Sequence, residues 1–138
     1  IAKAAGRLTY AFANADVPKV TVVIGEAYGS AYVTMNSKSI GADIVYAWPD
    51  AKIGMMDAAA AVKIMYAEEI SASDKAAALI SEKAAEYEAL QSSAAAAAGR
   101  GYVDDIIKAD ETRQRVIAAF EMLFTKREGR PSRKHGTV

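Results

Sequence analysis

Residues whose types and spacing could do chemistry gather in one short turn, Tyr28-Gly29-Ser30-Ala31, between a β-branched apolar run and a helical one. Where a buried strand feeds a helix, the first backbone N–H groups of that helix have no intrahelical partner, and they attract negative charge. Two such donors converging in a dry site stabilise an enolate or an oxyanion as it forms, each worth about 3 kcal/mol in the transition state. The side chains then matter by being small. The same pattern has a plainer use, since Gly29, Ser30 and Ala31 also let a helix and a strand pack closely. Spacing alone leaves both readings open.

Side-chain chemistry has less support. Ser30 as a nucleophile needs a neighbouring base, and the one histidine, His135, lies in the tail. Asp104 and Asp105 suggest paired carboxylates, but adjacent residues on a strand face opposite sides, so they read as a solvated pair at a strand end. Tyr28, Tyr32, Trp48 and Tyr66 could line an apolar ligand pocket or belong to the core. The absence of cysteine removes disulfides, thiolate metal sites and cysteine nucleophiles and fits a reducing cytoplasm. A single histidine excludes multi-histidine metal sites.

The elements that must position the turn follow from periodicity. Residues 2–15 form a helix on Ile1, Ala5, Leu8 and Phe12, ended by Asp16 and Pro18. Residues 19–25 are a strand buried on both faces, and the turn leads into a helix running to about residue 38. Strands are expected at 43–47 and 51–55. A helix capped by Asp57 follows over 58–69, with Val62, Met65 and Tyr66 as its apolar stripe. Residues 73–98 are alanine-rich and helical, with Ser73 as N-cap and Gly99 as stop, and read as a weakly amphipathic arm. A strand over 102–107 and a helix over 112–126, with Val116, Ala119, Phe120 and Leu123 on one face, complete the chain. Alternating strands and helices with short connections mean an α/β fold with parallel pairing, and no internal repeat is visible.

Length and composition bound the rest. The chain has 138 residues, 52% of them hydrophobic and 25% charged, enough to bury one core. Seventeen basic residues balance seventeen acidic ones, so no net field recruits nucleic acid or an anionic membrane. The most apolar runs, around 20–24 and 94–98, are far shorter than the ~20 residues that span a bilayer. In residues 124–138, Lys126, Arg127, Arg130, Arg133 and Lys134 oppose only Glu128, a basic tail that is solvated or docks on a partner subunit or an anionic ligand. Opening at Ile1 without an initiator Met, the chain is expected to start in mid-domain.

Residues 17–56, VPKVTVVIGEAYGSAYVTMNSKSIGADIVYAWPDAKIGMM, resemble the biotin-dependent carboxyltransferases, the β subunits of acyl-CoA carboxylases and the α subunits of related decarboxylases. The shared features are the VPK strand, a turn similar to AYGGAY, SK, GAD and AWP. Further on, the stretch from Gly101 to Ile107 with Thr112-Arg113 is similar to G-x-VD-x-I and T-R. Arg130-Pro131-Ser132-Arg133-Lys134-His135-Gly136 resembles the closing RP-x-KHG.

The resemblance implies that residues 1–138 are the C-terminal part of a carboxyltransferase domain whose upstream half is missing. It implies a crotonase-like spiral of ββα units, of the ClpP/crotonase type. It also implies carboxyl transfer between an acyl-CoA of malonyl or methylmalonyl type and biotin. Carried over by position, the backbone N–H groups of Ser30 and Ala31 would polarise the biotin ureido oxygen, with Gly29 giving the turn room and Tyr32 and Val33 contacting substrate. Some propionyl-type members have Asp where Val33 stands.

Implied partners are a biotin carboxyl carrier protein, biotin carboxylase or decarboxylase subunits, and further copies of the full-length chain, with a cytoplasmic location and no metal. Three departures stand out: Ser30 replaces a second Gly, Asp57-Ala58-Ala59-Ala60 replaces a Gly-containing segment, and Ala109 replaces a Pro. A positive φ at Ser30 would be costly, whereas a negative one preserves the backbone donor. The alternatives are a non-catalytic assembly module and a crotonase-type hydratase or isomerase. With one of two oxyanion holes, the 138-residue chain alone is expected to be catalytically poor.

Overall fold

Val20-Thr21-Val22-Val23 is β-branched at each position and forms strand β1 (Val20–Val23). It pairs in parallel with β3 (Ile44–Ala47), and β3 with β5 (Asp105–Ile106), in the order β1-β3-β5. A second parallel sheet joins β2 (Glu26–Tyr28) to β4 (Lys52–Gly54). Each strand pair is followed by a helix, α2 (Gly29–Thr34) after β1 and β2, and α3 (Ala58–Met65) after β3 and β4. One turn of the spiral thus separates Val20 from Ile44 and Glu26 from Lys52. This repeat is one of backbone register, with no matching side chains to show it in the sequence. The computed structural model describes residues 1–129, so the Arg130 to Gly136 motif and His135 lie outside the described residues.

The strand buried on both faces is β3, not the run at 19–25. Strand β1 sits at the sheet edge, and only Val23 of it is buried. Every residue of β3 is buried, and alternation sends them to two cores. Val45 and Ala47 pack with Ala51, Ile53, Ala94 and Ala97, while Ile44 and Tyr46 pack with Ile107 and Ala119 of α7 (Thr112–Met122). On α7 Val116 and Leu123 are half-buried, but Phe120 is exposed. The strand expected over 102–107 is two residues long.

The region 58–98 departs further. Tyr66, at φ −113° and ψ 28°, splits the expected helix into α3 and α4 (Ala67–Ala72), and Met65 is left 62% exposed, so the stripe is broken. Asp57 does cap α3, its carboxylate accepting from Ala60 N–H at 3.0 Å. Ser73 is not a helix cap, because α5 (Ala76–Tyr87) starts at Lys75 with no side-chain cap. A π-helical turn (Glu88–Ser92) then leads into α6 (Ala94–Gly99), capped by Ser93. Ala94 and Ala97 are 1% exposed, so this end of the alanine run is core: without bulk, α6 approaches β4 closely. Gly99 lies inside α6, and the left-handed stop is Gly101, at φ 81°. Tyr102 N–H bonds Ala97 O and Gly101 N–H bonds Ala98 O, a Schellman closure.

Ion pairs tie the strand ends. Asp43 accepts from Lys19 N–H at 2.7 Å and, through both oxygens, from Lys126 Nζ at 2.8 and 2.9 Å. Lys126, expected in a free tail, also pairs with Glu128 at 3.0 Å and is 9% exposed. Asp104 is likewise more than a solvated residue. It bonds Val45 N–H at 2.8 Å and Lys38 Nζ at 2.6 Å, whereas Asp105 pairs with Arg115. Burial lowers the Lys126 ammonium's pKa, and the hydrogen bonds from Asp43 and Glu128 outweigh it, so the value ends above the ordinary 10.5.

Two measurements check this account. Ala94→Leu is expected to lower stability by about 1–3 kcal/mol through overpacking, while Ala95→Leu on the exposed side leaves the urea midpoint unchanged. Lys126→Met is expected to cost about 2 kcal/mol at neutral pH. A raised lysine pKa stabilises below the unfolded value and loses that contribution as pH climbs through the folded one, so the gap to wild type should close only above pH 10.5.

Candidate functional site

Strand β2, which the sequence reading took as part of the turn, delivers Tyr28 to the N-cap of α2. Its register with β4 sets Tyr28 opposite Gly54 and brings the next residue against the chain at Met55. Gly29 has φ 61°, and a Cβ there would lie 3.0 Å from Met55 O. Only glycine fits both constraints. Ser30 follows inside α2 without positive φ, which among the described non-glycine residues occurs at Asn36 alone. The departure from a second Gly is therefore tolerated by the backbone.

Helix α2 has no side-chain cap, and no hydrogen bond among the described residues takes up the N–H of Ser30 or Ala31. Met35 N–H bonds Ala31 O, and Ser37 N–H bonds Val33 O, closing the helix. Asn36 anchors that end to β1: its Nδ2 bonds Thr21 Oγ1 at 2.9 Å, and Thr21 Oγ1 donates to Asn36 O at 2.8 Å. The donors at the start of α2 thus sit on a segment held at both ends.

The five residues singled out in the sequence are spread over three concavities, and Ala31 and Tyr32 meet in one of them, of ≈ 410 Å³, beside Val22, Ile24 and Tyr28. Gly29, Tyr32 and Val33 line a cavity of ≈ 340 Å³ with Tyr87, Arg100 and Tyr102. Ser30 and Ala31 line an apolar groove of ≈ 440 Å³ between α1 (Ala2–Asn14) and α2, with Ala5, Leu8, Thr34 and Met35. The Tyr32 hydroxyl is buried and has no hydrogen-bond partner among the described residues. Burial, then the neighbouring Tyr102, raises its pKa. Burial and then Glu26 do the same to Tyr28.

The four aromatics considered together do not share one pocket. Trp48 packs on the second core, donating from Nε1 to Thr112 Oγ1 at 2.9 Å, and the Tyr66 ring lies 5.4 Å from Lys83 Nζ. Sequence reasoning missed Tyr87, Gln91 and Arg100. Gly101 offered the one signal, since a glycine past a helical run marks a helix end beside it. Among the described residues, no three His, Asp or Glu side chains are grouped to hold a metal ion, and no helix is long and apolar enough to cross a membrane.

Comparison with known proteins agrees over the full length. The carboxyl transferase domain family matches residues 1–138. The chain is 46% identical over 132 residues to the methylmalonyl-CoA decarboxylase subunit alpha of Propionigenium modestum, covering 96% of this chain and 26% of that one. It is 44% identical over 130 residues to the methylmalonyl-CoA carboxyltransferase 12S subunit of Propionibacterium freudenreichii subsp. shermanii, covering 94% and 25%. The crystal structure of a transcarboxylase 12S hexamer with methylmalonyl-coenzyme A and methylmalonic acid bound superposes with a TM-score of 0.93 at 42% identity, over 99% of this chain and 26% of that one. The chain spans about a quarter of the length of these relatives. On this full-length match, and on a ββα spiral shared with a solved relative, the chain belongs to the carboxyl transferase domain family, with its crotonase-like fold.

Proposed function

We propose that the protein containing this chain transfers a carboxyl group between an acyl-CoA of malonyl or methylmalonyl type and biotin, as a carboxylase subunit or, in the opposite direction, a decarboxylase. The observation that carries the reading is the Gly29 turn. A left-handed glycine packed against Met55 O starts a helix whose Ser30 and Ala31 N–H groups have no partner among the described residues, in a chain matched throughout by the carboxyl transferase family.

Moving a carboxyl group off a thioester α-carbon leaves enolate charge, and its acceptor must carry charge in turn, so the chemistry needs anion stabilisation more than proton transfer. Biotin, when bound, supplies the ureido nitrogen that takes up and releases the carboxyl group. The Ser30 and Ala31 N–H groups donate to the ureido oxygen, and the groove beside them, walled by Leu8, Thr34 and Met35, suits an uncharged and largely apolar group. Ser30 Oγ takes no part. Tyr32 and Val33 contact the acyl group from the cavity that Gly29 also lines. The upstream part of the protein supplies the second oxyanion hole.

Partners on this reading are a biotin carrier protein, the biotin carboxylase or decarboxylase subunits that serve it, and further copies of the full-length chain. Exposed apolar side chains on and beyond α7, such as Ile117, Met122 and Phe124, support assembly.

Kinetics of the full-length protein with methylmalonyl-CoA and biotin test the assignment. Gly29→Ala is expected to lower kcat by about 100-fold or more, as loss of an oxyanion-hole donor does. Ser30→Ala should stay within about threefold of wild type, because its contribution is from backbone. Equal losses in both variants would show that the serine hydroxyl, not the N–H, does the work.

A further inference from the structure

The cavity beside Gly29 contains one charged side chain among its lining residues, Arg100, and no carboxylate. Several other cations do have carboxylate partners: Lys38 pairs with Asp104, Lys52 with Glu88, Arg115 with Asp105 and Glu111, and Lys126 with Asp43 and Glu128. Arg100 has no carboxylate partner among the described residues. Arg100 is exposed on the cavity wall, and a planar guanidinium with no carboxylate beside it there favours an anionic occupant.

Its position is also built. Arg100 is the C-cap residue of α6, held by the Schellman closure through Gly101. From the other side it is tethered to the π-helical turn: Nη1 donates to Gln91 O at 2.9 Å, and Nη2 donates to Gln91 Oε1. Both contacts are to neutral oxygens, which orient the fork without cancelling its charge. Tyr87 at the start of that turn and Tyr102, two residues past Arg100, flank it in the same cavity.

We infer that Arg100 binds the carboxylate of the carboxyacyl thioester, fixing the group to be transferred beside the Gly29 turn. This rests on the proposed carboxyl transfer, in which that carboxylate is the one negative charge that distinguishes the carboxylated thioester from its product. A planar guanidinium takes a carboxylate with two parallel hydrogen bonds, which orients the α-carbon bond as well as holding it. Arg100 is then a specificity residue for the carboxylated substrate, and Gln91 its positioning residue.

The test is equilibrium binding by the full-length protein of methylmalonyl-CoA and of propionyl-CoA, thioesters that share every coenzyme A phosphate and differ in the carboxylate. Arg100→Gln should weaken methylmalonyl-CoA by about 10- to 100-fold, the worth of a charged hydrogen bond, and leave propionyl-CoA unchanged. Arg100→Lys, which keeps the charge without the fork, should show a smaller loss confined to methylmalonyl-CoA. With wild-type carboxyl transfer intact, variants that bind both thioesters as before, or both equally weakly, overturn the role of Arg100 alone. A wild-type protein that transfers no carboxyl group to biotin defeats the proposed function, and this inference with it.

Discussion

The contact that the site depends on is between Gly29 and the main chain at Met55. Parallel pairing of β2 with β4 brings the two segments so close that a side chain at position 29 would meet Met55 O at 3.0 Å, and the backbone there is left-handed. Helix α2 can therefore begin only at a glycine, and its Ser30 and Ala31 N–H groups have no partner among the described residues. One residue thus fixes where α2 and its first N–H groups begin.

The strongly polar residues of the recognisable sequence stretches act mainly as staples. Asp43 joins the start of β1, through Lys19 N–H, to Lys126 beyond α7, and Asp104 joins Lys38 to the edge of β3. Trp48 reaches Thr112 across the second core. These contacts hold a three-stranded sheet whose outer strands are short, two residues in the case of β5. Little of the charge in those stretches is left for catalysis. The proposed chemistry, which would run on backbone donors, is consistent with that division, because it asks no charged side chain of those stretches to leave the scaffold.

What could be read from the sequence, and what could not, follows from range. The strands β1, β3 and β4, the small-residue turn and the Asp57 cap are local and legible from a few neighbouring residues, whereas β2 is a strand only through its pairing with β4, and the strand expected over 102–107 shrinks to two residues. The fully buried strand was placed one element early because edge or centre is decided by pairing across the chain, which β-branched composition does not report. The alanine run, expected as a weakly amphipathic arm without a core stripe, differs for a similar reason. Alanine is equally at home in solvent and in a tight contact, and only the approach of α6 to β4 makes Ala94 and Ala97 core. Gly29, Ser30, Ala31, Tyr32 and Val33 are adjacent in the sequence, but which concavity each of them lines is tertiary, as is the placement of Arg100.

The central claim, that backbone N–H groups at Ser30 and Ala31 polarise the ureido oxygen of biotin, has a direct spectroscopic measure. Infrared difference spectra of the full-length protein with biotin labelled with ¹³C at the ureido carbonyl report the strength of hydrogen bonding to that oxygen. The account predicts a shift of the carbonyl stretch to lower frequency on binding, lost in Gly29→Ala and kept in Ser30→Ala. An unshifted stretch in the wild-type complex would contradict it.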